Sequence, residues 1–291
     1  MLYRLSNPQL SVTVCDKGAE LWSIRTPDET EYLWQGDETY WPDRALTIFP
    51  YVADLTEETY QYQGQKYRMP IHGFAPKSLF QLEEHGRDYL VFLLTDNQET
   101  YQQYPWRFAF WVRYQLNGNT LAVTYKVENR DQKTMYFGLG GHPGINVPLT
   151  KDTRFEDYYL EFAAPCQPYQ VGFTENLLLS GQDVLYPLED KTRISLTHQL
   201  FDDDAIVLKH MAKTIILKSC KTDKLVSVSY PQMPYLGLWH AQKTDAPYVC
   251  IEPWSSLPSR DGIIEDLSCQ SDLNMLQPGE WYQNTWTMTI E

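Results

Sequence analysis

The chain has 291 residues, 43% of them apolar and 21% charged, with a formal charge of −14. That balance fits a folded globular protein rather than a disordered one, and the negative charge argues against nucleic acid or an anionic membrane surface as partner. The length suits one large β-sandwich or barrel, residues 1–291 forming a single domain.

The five cysteines (Cys15, Cys166, Cys220, Cys250 and Cys269) are odd in number, far apart and form no Cys-x-x-Cys pair. The expectation is neither a disulfide framework nor a zinc site, and a reducing compartment. The opening Met1-Leu2-Tyr3-Arg4-Leu5 has no apolar signal core, and no run approaches the ~20 apolar residues of a membrane span. The reading is a soluble cytoplasmic protein.

Period-two alternation runs through the chain in order. Strands are expected at Ser11–Val14 and Leu21–Thr26, then a short hairpin, Thr59–Gln63 and Gln65–Met69, around Gly64. After a strand at Tyr89–Leu94, Phe108, Phe110, Val112, Tyr114 and Leu116 share one face. Asn117-Gly118 then offers a turn, and Leu121, Val123, Tyr125 and Val127 return as the second half of an antiparallel pair. Further strands are expected at Tyr158–Phe162, Thr214–Lys218, Lys224–Tyr230 and Trp281–Ile290, with one short helical turn at Leu196–Phe201. Many short strands with turns between them predict an all-β sandwich or barrel.

Three stretches carry candidate chemistry. Gly140-Gly141-His142-Pro143-Gly144 sets a histidine in a bare backbone that the glycines allow to bend sharply and to approach a ligand closely. Ile71-His72-Gly73-Phe74 carries a second histidine. Cys250-Ile251-Glu252-Pro253-Trp254 follows a buried-strand pattern, and a buried glutamate is paired or working; desolvation raises its pKa toward the range of a general base. An imidazole and a carboxylate together can move protons near neutral pH. Phe201-Asp202-Asp203-Asp204-Ala205 is an acidic run of the kind that usually forms a solvated turn, though one aspartate could bind a ligand hydroxyl. There is no Gly-x-Ser-x-Gly, phosphate-binding glycine loop or His-Glu-x-x-His, and the six histidines show no close metal-ligand spacing.

Taken in order, Leu33-Trp34-Gln35-Gly36-Asp37, Trp41, Ile48-Phe49-Pro50, Pro70-Ile71-His72-Gly73-Phe74-Ala75, Gly141-His142-Pro143-Gly144, Asp203-Asp204-Ala205, Tyr235–Trp239, Cys250–Trp254 and Leu276–Glu280 resemble the aldose 1-epimerase (galactose mutarotase-like) family, and most of all its LacX-type branch. The resemblance implies a β-supersandwich of large, mostly antiparallel sheets with a sugar in an open cleft. It assigns Glu252 as the base at the anomeric hydroxyl and His142 as the acid at the ring oxygen. His72 and Asp204 become substrate-binding residues. Opening and reclosing a hemiacetal needs no metal and no organic cofactor, so none is expected. The partner is a monosaccharide, an aldohexose or its phosphate.

Two positions depart from the family. Ala53-Asp54 stands where Gly-Arg is usual, and Pro76 where an arginine often follows His-Gly-Phe-Ala. Arg44, Lys77 and Arg260 are the candidates to replace the lost cation. The departures keep a second reading open, a non-catalytic sugar-binding or sensing protein. A hexose-6-phosphate mutarotase is a variant of the first reading, and a glycoside-processing pair of Glu252 with Asp204 ranks last.

Overall fold

The computed structural model describes residues 1–291. Two antiparallel sheets face each other. The nine-stranded sheet runs, from edge to edge, Arg193–Ser195, Tyr158–Phe162, Thr214–Ser219, Thr222–Ser229, Trp281–Ile290, Thr120–Asn129, Phe108–Asn117, Tyr89–Thr95 and Gln81–His85. The seven-stranded sheet runs Val184–Leu185, Tyr169–Gln170, Ile206–Lys209, Tyr235–Trp239, Tyr248–Trp254, Gly140–Asn146 and Ala45–Ile48. A three-stranded sheet at the N-terminus (Leu2–Ser6, Ser11–Cys15, Glu20–Arg25) and two two-stranded ribbons complete the β-structure. The expected all-β supersandwich is what forms.

The alternation read in the sequence is the alternation of burial. Thr120–Asn129 and Phe108–Asn117 both place every second residue inside. Their inward faces join a contiguous cluster of 64 buried apolar residues drawn from both sheets. At roughly 1.5–3 kcal/mol per large apolar side chain, this burial is the main force holding the sheets together.

The turn between those two strands lies one residue later than expected. Asn117 is the last paired residue, opposite Thr120, so the turn centres on Gly118-Asn119. Gly118 has φ +59°. A glycine with positive φ at the first central position is what a two-residue hairpin of type II′ requires.

Helix is scarce. The expected turn at Leu196–Phe201 is a 3-10 helix over His198–Phe201. One α-helix was not anticipated, Gln98–Gln103. Its six residues bury only Thr100, so no helical periodicity could show. Its signal is the cap instead: the Asn97 side chain accepts the Glu99 and Thr100 amides, and the Thr100 hydroxyl accepts the Asn97 amide.

Candidate active site

The site lies on the face of the seven-stranded sheet turned away from the inter-sheet core. All seven residues of Tyr248–Trp254 are buried, but for two reasons. Val249 and Ile251 belong to the inter-sheet cluster. Tyr248, Cys250, Glu252 and Trp254 alternate onto the opposite face. There Tyr248 and Cys250 join Trp34, Trp41, Ala241 and Ala246 in one small cluster. Trp254 joins Ile48, Val52, Val171, Val207 and Leu257 in another. Glu252 falls between the two.

Register sets the partner. Gly140 pairs with Trp254 and Gly144 with Cys250, which puts His142 opposite Glu252 on the neighbouring strand. His142 Nε2 lies 3.2 Å from Glu252 Oε2, with side-chain exposures of 9% and 1%. The two atoms do not meet in hydrogen-bonding geometry: Glu252 Oε2 and His142 Nδ1 are both buried without a partner, and the Trp254 indole N–H stands beside the Glu252 carboxylate. Buried polar atoms in folded proteins are nearly always satisfied, so two unsatisfied ones side by side make this a candidate ligand site. On the other side Glu252 pairs with Gly237, where a Cβ would stand 3.2 Å from the Glu252 Cβ and from the Trp254 ring.

The glycines around His142 serve close packing rather than a bend. Residues 140–146 form an extended strand, and none of its glycines has positive φ. A Cβ at Gly140 would lie 2.7 Å from the Pro253 carbonyl oxygen and 2.9 Å from Trp254. One at Gly141 would lie 2.7 Å from Trp286 across the sandwich, and one at Gly144 3.0 Å from Trp34. The expectation of a sharply bent backbone is therefore replaced by a flat strand pressed on both faces. Trp41 lies tilted over the His142 ring at 4.8 Å, and Trp239 meets it edge-on at 5.6 Å.

His72 is brought to the same place by a loop. Its ring stands perpendicular to that of His142, 5.4 Å between centroids. Its Nδ1 accepts the Ala53 amide at 3.2 Å, which leaves the proton on Nε2. Burial lowers its pKa to about 4, so the ring is neutral at physiological pH. Burial also holds His142 well below the usual histidine range, with His72 adding to the effect. Glu252 is pushed the other way, well above the usual carboxylate range, by burial and by the negative charge of Asp204. The pair thus favours one shared proton over a separated ion pair.

Asp204, rather than its exposed neighbour Asp203, is the aspartate turned to this site. Its carboxylate accepts the Ala205 amide at 2.6 Å and bonds the Gln242 side-chain amide. The sequence carried no sign of Gln242. Nor did it single out Trp41, Trp239 and Tyr248 as the aromatic wall, since in a β-rich chain any one aromatic reads as core.

Two of the three basic candidates are committed to other partners. Arg44 lies 4.0 Å over the Trp22 ring and bonds the Gln35 side chain at 2.7 Å. Arg260 forks onto Glu265 at 2.6 and 2.9 Å. Lys77 is exposed. Asp54, at the family's arginine position, accepts the Leu55 amide at 2.8 Å.

The two-sheet antiparallel architecture is that of the galactose mutarotase-like β-sandwiches. The chain belongs to the aldose 1-epimerase family, whose model matches residues 1–285. It is 34% identical over 280 residues to the plasmid-encoded LacX protein of Lactococcus lactis subsp. lactis, covering 91% of this chain and 92% of that protein. Among solved structures it resembles a galactose mutarotase related enzyme from Lactobacillus acidophilus, with a TM-score of 0.96 and 32% identity, over 100% of this chain and 97% of the other. A galactose mutarotase-like protein from Lactobacillus casei superposes with a TM-score of 0.93 at 28% identity, over the whole of both chains. No helix is long and apolar enough to cross a membrane.

Proposed function

We propose that this protein is a mutarotase that interconverts the α and β anomers of a free, unphosphorylated aldohexose. The observation that carries the reading is the His142–Glu252 contact: two buried proton-transfer groups 3.2 Å apart, unbonded to each other. Ring opening removes the proton from the anomeric hydroxyl and delivers one to the ring oxygen. With the pair's one proton passed to His142 on sugar binding, Glu252 takes the first and His142 gives the second, so the pair keeps one proton throughout and merely changes its owner. Rotation about C1–C2 and the reverse transfer close the ring on the other face. Each positioned acid or base supplies roughly 10²–10⁴-fold.

His72 presents its Nε2–H beside His142 for a sugar oxygen, and Asp204 accepts from sugar hydroxyls. The aromatic wall of Trp41 and Trp239 suits the apolar face of a pyranose. The choice of a neutral sugar rests on charge. Arg44 and Arg260 are committed elsewhere and Asp54 adds an anion, so no arginine is left to fork onto a phosphate. Residues 1–291 act as one unit on this reading, in a reducing cytoplasm that suits five free cysteines.

Polarimetry of freshly dissolved α-glucose and α-galactose tests the proposal: the optical rotation should relax faster with the protein than without it. Unchanged relaxation across a panel of free aldohexoses overturns it. The missing arginine favours one alternative, a non-catalytic sugar sensor on the same fold, which would bind sugar saturably without accelerating the relaxation.

A further inference from the structure

Cys250 has no task in the chemistry above, yet it sits beside both groups that do. One donor atom each from His142, Cys250 and Glu252 fall within 4.8 Å of one another, and all three side chains are buried. The ordinary reading of such a cysteine is a small apolar filler under Trp34, Trp41 and Tyr248. Three further observations point beyond it.

The first is spacing. Two nitrogen or oxygen ligands on one tetrahedral zinc ion stand about 3.3 Å apart, and a sulfur and a nitrogen about 3.6 Å. His142 Nε2 and Glu252 Oε2 already stand at 3.2 Å, and the thiol needs to move by only about 1 Å. The second is orientation. Glu252 Oε2 has no hydrogen-bond partner despite that separation, so its lone pairs are not spent on His142. The third is charge. A thiolate and a carboxylate together balance a doubly charged cation, and a neutral assembly is what a buried site tolerates. The strand register supplies this placement: Cys250 and Glu252 share a face two residues apart, and His142 stands opposite Glu252 on the neighbouring strand.

We propose that His142, Cys250 and Glu252 form a three-donor site for a borderline-soft divalent cation of the zinc type, and that its occupancy shuts off the acid/base pair. The second half rests on the mutarotase reading; the first does not. Binding takes the Nε2 lone pair of His142 and an oxygen of Glu252, the positions the sugar's protons need. It releases the Cys250 thiol proton and the shared proton of the pair, so affinity rises with pH. The fourth coordination position stays open toward the sugar cleft.

The test titrates the metal-free full chain with Zn2+ against a chromogenic chelator and follows polarimetry on the same samples. One Zn2+ per chain is expected, with loss of mutarotation on addition and recovery with EDTA. Cys250→Ser and Cys250→Ala should each weaken binding by about tenfold or more, since loss of an outer-shell partner alone weakens metal affinity by about 10–100-fold. Cys269→Ser and Cys220→Ser, at exposed cysteines, should bind as the parent does. Should the Cys250 variants fail to fold, Co2+ on the Cys220→Ser/Cys269→Ser chain decides: a thiolate-to-cobalt charge-transfer band supports the site, and its absence overturns it. Absent stoichiometric Zn2+, or Zn2+ held equally by the Cys250 variants, overturns the site. Zinc bound with mutarotation undiminished or stimulated overturns the inhibition alone. A chain that binds zinc but never mutarotates refutes the proposed function and leaves the metal site standing.

Discussion

Ala53 and His72 hold each other twice. The His72 amide donates to the Ala53 carbonyl at 3.0 Å, and the Ala53 amide donates to His72 Nδ1 at 3.2 Å. Both residues sit in the left-handed region, at φ +55° and +62°. The clasp is what turns the His72 ring toward His142, and it is bought with backbone strain at two non-glycine residues.

Relief of that strain is measurable. Ala53→Gly keeps both hydrogen bonds and removes the Cβ from an unfavourable conformation. It should stabilise the protein by about 0.5–1 kcal/mol. Chemical denaturation with an unchanged slope should show a higher midpoint, and no increase would mean that the loop carries no strain at Ala53.

His72 also makes stability depend on pH. Its folded pKa of about 4 lies below the ordinary 6.5, so the unfolded chain takes up the proton first as pH falls. The contribution is complete above pH 6.5 and is lost between 6.5 and about 4, at most about 3 kcal/mol. His72→Asn retains an acceptor for the Ala53 amide and tolerates positive φ. It should flatten that part of the pH–stability curve, and a curve of unchanged steepness would assign the acid sensitivity elsewhere.

Glu252→Gln and His142→Asn should each lower kcat by about 10²–10⁴-fold. Glu252→Gln should leave the thermal midpoint unchanged or raised at neutral pH, because it removes a carboxyl that burial penalises when ionised. Activity retained in either variant would separate the dyad from catalysis.

Asp204→Asn tests a contact and a charge at once. Loss of a hydroxyl acceptor should raise KM for the sugar. Loss of the negative charge that raises the Glu252 pKa should also shift the acidic limb of kcat/KM toward lower pH. A rise in KM with no movement of that limb would confine Asp204 to binding.

Gly140→Ala should be costly although the residue has ordinary strand φ. The added carbon meets the Pro253 carbonyl at 2.7 Å and Trp254 at 2.9 Å. Destabilisation of about 1–3 kcal/mol is expected, with reduced kcat because the His142 strand is levered off its neighbour. A neutral effect would show the two strands to be freer than their packing indicates.

What the sequence could reveal follows from which faces are wet. The strands of the nine-stranded sheet alternate because one side is solvated, so Phe108–Asn117, Thr120–Asn129 and Trp281–Ile290 were readable almost to the residue. Gly140–Asn146 is buried on both sides apart from its last residue, and its Gly/Pro content conceals it. His142, Glu252, His72 and Asp204 lie near one another, but singling them out took the order of motifs along the whole chain. Cys250 looked inert because a count of cysteine spacings sees only neighbours in sequence; its companion His142 is 108 positions away and arrives by strand register. Gln242 has no local pattern at all.

The division of labour along Tyr248–Trp254 has a genetic corollary. Val249 and Ile251 there face the interior and the even-numbered residues the outer face, so on the proposed function substitutions at the two sets should segregate into those that unfold the protein and those that silence it. A single-residue deletion ahead of this strand would do both, turning Glu252 into the interior and Ile251 out onto the opposite face. Inserted or deleted pairs preserve the parity, and they are the length changes through which descendants of this chain could explore new substrates without first losing the fold.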